Sequence, residues 1–187
     1  MALNPKEKMS AWLYGKQACD DGAAWAGDQT LQEAWLTCPR PNWLLWALRE
    51  AGLRDLIKDR RFACRCARDV WHLLTDPRSR NAVEATERLC EGLVTEGELG
   101  AAELAAWRAL WRVGCAGIRN AARDAAHAAW HATYGSWDAA RYAAWASVGG
   151  GGETNDGDFA AWEAASKVQA DALRTIYGDP FATAQAN

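Results

Sequence analysis

The side chains best suited to chemistry lie in two stretches, Arg119 to Tyr134 (RNAARDAAHAAWHATY) and Asp55 to Leu74, which contains RRFACRCARDVWHLL. His127 and His131 stand four residues apart, a spacing that on a helix lets two imidazoles meet one metal ion. Asp124, His72 or a cysteine would have to complete that site. The chain has no HExxH and no CxxC, and Cys64-Arg65-Cys66 has the wrong spacing for a zinc knuckle. Histidines among large polar neighbours commonly hydrogen-bond those neighbours or water, so no metal and no cofactor is expected.

Arginine supplies a second chemistry. Projected at about 100° per residue, Arg61, Arg65, Arg68 and His72 share one narrow strip, and Arg119, Arg123, His127, Trp130, His131 and Tyr134 share one half of the later helix. If the two strips adjoin, their guanidinium forks can hold phosphate or carboxylate bidentately, with Trp130 and Tyr134 stacking beside them. Such a pocket suits a nucleotide or the acidic surface of a partner. The alternative is a solvated strip held by local pairs, Arg65 with Asp69 and Asp69 with His72. Catalysis finds no support. No carboxylate pair stands beside a nucleophile, Ser136 sits at a helix start, and Gly149 to Gly152 neither follows a strand nor ends in Lys-Ser/Thr.

Helices must position all of these residues. Asn4-Pro5 predicts a helix to about Cys19, broken by Asp20-Asp21-Gly22; Gln29 to Leu36 predicts a short helix with Trp35 and Leu36 inward. Pro41 starts an apolar helix that ends before Gly52, placed as a C′ residue. Asp55 to Leu74 reads as a central helix with one wet edge, and Asp76-Pro77 caps and starts the next, which runs to about Glu91. Thr95-Glu96-Gly97-Glu98 has the capping-box form and opens a helix to about Val113, with Leu104, Trp107, Leu110 and Trp111 on one face and Ala on much of the other. The helix of Arg119 to Tyr134 and the following one, Trp137 to Val148, each pair an Ala face with a polar and aromatic face. Ala faces permit close backbone approach, so these two are expected side by side. Gly149 to Asp158 predicts a flexible Gly-rich loop, and Phe159 to Tyr177 a last helix with Trp162, Val168, Leu173 and Ile176 inward. Gly178 caps it, and Asp179-Pro180-Phe181 folds back.

The expected fold class is therefore all-α, a single compact bundle of about seven to nine Ala- and Trp-rich helices over residues 1–187, with 1–32 as an N-terminal extension packed on it. Half of the residues are apolar and twelve are Trp, enough for a substantial core with one or two Trp left at an interface. No apolar run reaches about twenty residues and MALNPKEK lacks a signal-peptide pattern, so the expected setting is cytoplasmic, away from membranes. Six scattered cysteines predict reduced, largely buried thiols rather than a disulfide framework. A net charge of -3 argues against a nucleic-acid partner.

Trp35-Leu36, the RRFACRCARDVWHLL helix with its Asp76-Pro77-Arg78 exit, Ala82-Val83-Glu84, the Ala-rich middle with interspersed His and Trp, and Gln169-Ala170-Asp171 leading into Leu173 to Phe181 carry a resemblance. Over roughly Glu33 to Phe181 the chain resembles a group of uncharacterised bacterial helical proteins, similar in turn to the immunity-protein family of polymorphic toxin systems. The resemblance implies an all-α fold and a binding role in bacterial or phage conflict. It supplies no catalytic residues. The expectation is a non-enzymatic immunity-type or inhibitor protein that neutralises a protein partner, either a toxin or a defence complex such as an anti-CRISPR target. The alternative is a small anionic ligand or nucleotide, held as by a signal sponge in the Arg, His and aromatic cluster.

Overall fold

The computed structural model describes residues 12, 13, 15–114, 121–149 and 156–182. The expected helix start at Asn4-Pro5, Arg119 of the candidate site and residues 150–155 of the Gly-rich loop lie outside the described residues. So do Asn120 and Cys115.

Nine α-helices and no sheet make up the described residues. They are α1 (Asp20–Ala26), α2 (Leu31–Thr37), α3 (Pro41–Glu50), α4 (Leu56–Asp69), α5 (Pro77–Cys90), α6 (Glu96–Gly114), α7 (Ala121–Ala132), α8 (Asp138–Ser147) and α9 (Asp156–Tyr177), with a 3-10 turn at Trp71–Leu73. Local sequence explains where most of them begin. At α2 the Thr30 hydroxyl accepts the Glu33 N–H while the Glu33 carboxylate accepts the Thr30 N–H, and Thr95 and Glu98 repeat this box at α6. Asp55 and Asp76 take the first free N–H groups of α4 and α5. Gly52, Gly92 and Gly178 have positive φ just past α3, α5 and α9, the conformation that favours glycine at a helix end.

Small residues set the packing. The central helix α7 touches α4, α5, α6, α8 and the 3-10 turn, and its tightest neighbour is α8. Ala125, Ala128, Ala129 and Ala132 of α7, with Ala139, Ala140, Ala143 and Ala146 of α8, are buried in the core. Without bulk between them the two backbones approach closely, as their Ala faces predict. Trp12, Leu13, Ala26, Leu31, Trp35, Leu48, Phe62, Leu173 and Phe181 belong to the same core cluster, so residues before position 32 share it. Phe181 does fold back, its ring 5.8 Å from that of Trp35. Trp35 also donates its Nε1–H to the Gly178 carbonyl at 2.9 Å, and Arg174 donates to the Trp35 carbonyl at 2.7 Å, which pins α2 to the end of α9.

Several sequence expectations are corrected. The break expected at Asp20-Asp21-Gly22 falls earlier, at residues 16–19, and these three residues open α1, the two carboxylates being favourable at a helix N-terminus. Leu36 and Val168 are exposed, not inward, and Ser147 leaves the buried Ala face of α8. Asp156 to Asp158, expected in the loop, form the first turn of α9. At α6, Leu110 parts from the face it was expected to share with Leu104, Trp107 and Trp111. The helix buries Leu99, Ala102, Ala106, Ala109 and Leu110, while Leu104, Trp107 and Trp111 face outward. Packed against both α5 and α7, this helix turns its small side inward, where close approach is possible, and its bulky side outward.

Candidate partner-binding surface

Arg61, Arg65 and Arg68 recur at three- and four-residue spacing and so form one strip on α4. Ala63, Cys66, Ala67 and Val70 lie about half a turn away and are buried. α7 is among the helices packed on α4, and the Arg strip looks away from that buried side toward α5. Arg61 donates to the Cys90 carbonyl at 3.2 Å, and Arg68 makes a bidentate pair with Glu87 at 2.9 and 2.6 Å. The Arg68 guanidinium also covers the Trp71 ring at 3.8 Å. Arg65 pairs with Asp69 at 3.1 Å, as the local reading expects. These groups, with Cys64, Glu87, Cys90 and Glu91, line a shallow groove. His72 is exposed on the 3-10 turn.

The polar face of α7 goes elsewhere. His127 stacks on the Tyr142 ring of α8 at 4.4 Å and 15°, and His131 does so at 5.3 Å and 14°. Arg141 covers Tyr142 at 4.7 Å and pairs with Asp138 at 2.8 Å. Trp130 lies against His131 at 4.7 Å and meets Tyr134 edge-on at 5.6 Å. Burial holds the His131 pKa below its ordinary value; Asp138, 4.0 Å away, opposes this, and Arg141 reinforces it. Arg123 is half-buried on the same helix. Among the described residues, Arg61 and Arg68 thus engage α5 and Arg65 its own helix, while His127 and His131 engage α8, so these groups are not gathered into one cluster. The two faces point to different neighbours, and most of the α7 face serves the α7–α8 pair. Among the described residues no group of three His, Cys, Asp or Glu side chains could hold a metal ion.

Burial also quiets the thiols. Cys38, Cys64 and Cys66 are buried, and loss of solvation pushes the Cys38 thiol up to about 11 and the Cys64 and Cys66 thiols upward too. Cys19 is exposed and Cys90 half-buried.

One member of the α7 strip stays outside. Tyr134 is exposed just past the helix and donates its hydroxyl to Glu103 of α6. Burial, followed by that carboxylate, pushes its pKa up to about 12, so the phenol is neutral at physiological pH. Glu103 sits on α6 beside Leu104, Trp107 and Trp111, which keep 46%, 40% and 59% of their surface in solvent. The two indoles meet edge to face at 5.6 Å and 67°. At spacings of three and four residues they form an apolar ridge along a helix whose opposite side is locked into the core. Sequence reasoning separated Leu104, Trp107, Leu110 and Trp111 from a largely Ala face and left open which of the two is buried. The feature that separates the faces is the smaller bulk of Leu99, Ala102, Ala106, Ala109 and Leu110, which suits the space between two packed helices.

No helix among the described residues is long and apolar enough to cross a membrane. Comparison of the chain with protein-family models, curated proteins and solved structures returns no match.

Proposed function

We propose that this protein is a non-enzymatic inhibitor of the immunity type, which neutralises a protein partner by covering it with the α6 ridge. The observation that carries the reading is the pair Trp107 and Trp111, held edge to face and exposed on a helix anchored through its other side. Indole rings contribute large apolar contact area at little entropic cost and are enriched among the residues that dominate binding energy. Leu104 and Tyr134 extend the ridge, and the Tyr134–Glu103 hydrogen bond orients one rim. The sequence resemblance suggests that the partner is a toxin or a defence complex. Arg68, one of the groups expected to hold a small anion, is instead held bidentately by Glu87 and stacked on Trp71, which favours the protein-binding reading over that one.

Co-expression of the tagged chain with candidate toxins or defence complexes tests this. The wild-type chain is expected to co-purify one stoichiometric partner and abolish its activity. A Trp107→Ala/Trp111→Ala variant should weaken the complex by at least about thirtyfold, the loss of one hot-spot side chain of about 2 kcal/mol. Its unfolding midpoint should be nearly unchanged. Recovery of the chain alone, or undiminished binding by the variant, overturns the reading.

A further inference from the structure

A second feature shares Tyr134 with the ridge but not its indoles, and is independent of the proposed partner. Between α1, α2, α3 and the turn after α7 is a cavity of about 540 Å³, within the range of small-molecule sites. Its walls are dominated by indoles, among them Trp25, Trp43, Trp46 and Trp137. Trp25 and Trp43 brace one another at 5.8 Å, and Arg40 steadies Trp43 from 4.5 Å, so the rings are held in place. Among the described residues that line it, the charged ones are Arg49 and Arg54.

We propose that this cavity binds a planar aromatic molecule carrying an acidic group. The indole walls supply flat apolar surfaces on which such a ring can stack. A cage of Trp alone would equally suit a cation, but the partners of the two arginines, Glu50 and Asp59, are not among the described lining residues, so the charged groups offered to a ligand are guanidiniums. Arg54 is preorganised for its task. Its Nε donates to Asp59 at 2.6 Å and its Nη2 to the Gly135 carbonyl at 3.4 Å, while its side chain keeps 41% of its surface in solvent. The Asp59 carboxylate is itself buried and receives the Tyr177 hydroxyl at 2.6 Å, so the anchor is rigid. Arg49 is exposed and pairs with its sequence neighbour Glu50 at 3.0 Å, a solvent-exposed contact of small worth that it can exchange for an acidic head group.

Two probes that differ only in the acid test the proposal on the full chain: 1-anilinonaphthalene-8-sulfonate and its desulfonated analogue N-phenyl-1-naphthylamine. Fluorescence titration and calorimetry are expected to show one saturable site per chain and about tenfold tighter binding of the sulfonate, the worth of one charge-assisted contact. Arg49→Gln should lose most of that preference while keeping affinity for the neutral probe. Trp43→Ala should weaken both probes, and the Trp107→Ala/Trp111→Ala variant should bind as the wild type does, which separates this site from the ridge. Should Trp43→Ala fail to fold, the Arg49→Gln comparison decides alone. Equal affinity for the two probes, no effect of Arg49→Gln, or loss of binding in the ridge variant overturns the proposal.

Discussion

At the scale of single residues, this molecule spends its polar groups on joining helices. Arg60 is buried, pairs with both carboxylate oxygens of Glu96 at 2.6 and 2.9 Å, and donates to the Thr133 carbonyl at 3.1 Å. Gly135 lies so close to α4 that a Cβ there would sit 3.0 Å from the Arg60 nitrogen and the Asp59 Cβ, and its φ is 62°. Neither contact has a local sequence signature, because each links positions far apart in the chain. His131 makes a pH-dependent contribution at this scale. Its folded pKa is lowered, so between the unfolded value near 6.5 and the lower folded value the unfolded chain binds more protons. Stability is therefore fully present above about pH 6.5 and falls as the pH drops toward the folded value. Denaturant midpoints measured at pH 7.5 and 5.5 should differ less in His131→Gln than in the wild type. An equal pH dependence in both would show that His131 does not contribute.

At the scale of elements, the contact between α7 and α8 rests on the absence of bulk. Ala128 and Ala143 are buried in the core, and any larger side chain must push the helices apart or distort its own rotamer. Ala128→Leu should cost about 1–3 kcal/mol in urea unfolding. The same change at Ala101, exposed on α6, should stay within about 0.5 kcal/mol. A near-neutral Ala128→Leu would mean that the pair is loosely packed. Helix starts were legible at this scale because capping is local: Thr30, Asp55, Asp76 and Thr95 each act on N–H groups two or three residues away. The inward side of α6 was not. Both of its faces are apolar, and only the neighbours decide which one is covered.

At the scale of the whole molecule, one residue type plays opposite parts. Trp35 is 2% exposed, joins α2 to α9 and packs on Phe181 and Tyr177. Trp111, by contrast, stands on the surface of α6 with 59% of its own surface in solvent, and Trp107 is exposed beside it. Trp35→Ala should therefore destabilise the fold by about 3–5 kcal/mol, measured by thermal or denaturant unfolding, while Trp111→Ala leaves it within about 0.5 kcal/mol. Comparable losses at the two positions would place the ridge in the stability of the fold rather than at an interface.

The sequence by itself determined the all-α class, the helix boundaries set by caps, prolines and glycines, the Ala-to-Ala pairing of α7 with α8, and the return of Phe181 to the core. Each follows from periodicity or from groups a few residues apart. Only the tertiary structure decided that the Arg61 strip faces α5, that Tyr142 covers His127 and His131, and that α6 presents its indoles outward. These outcomes depend on which neighbour a helix face meets, and a face with two apolar sides, or a polar face with an aromatic partner from another helix, carries no local mark of that choice. The ridge and the Trp-lined cavity are both products of it.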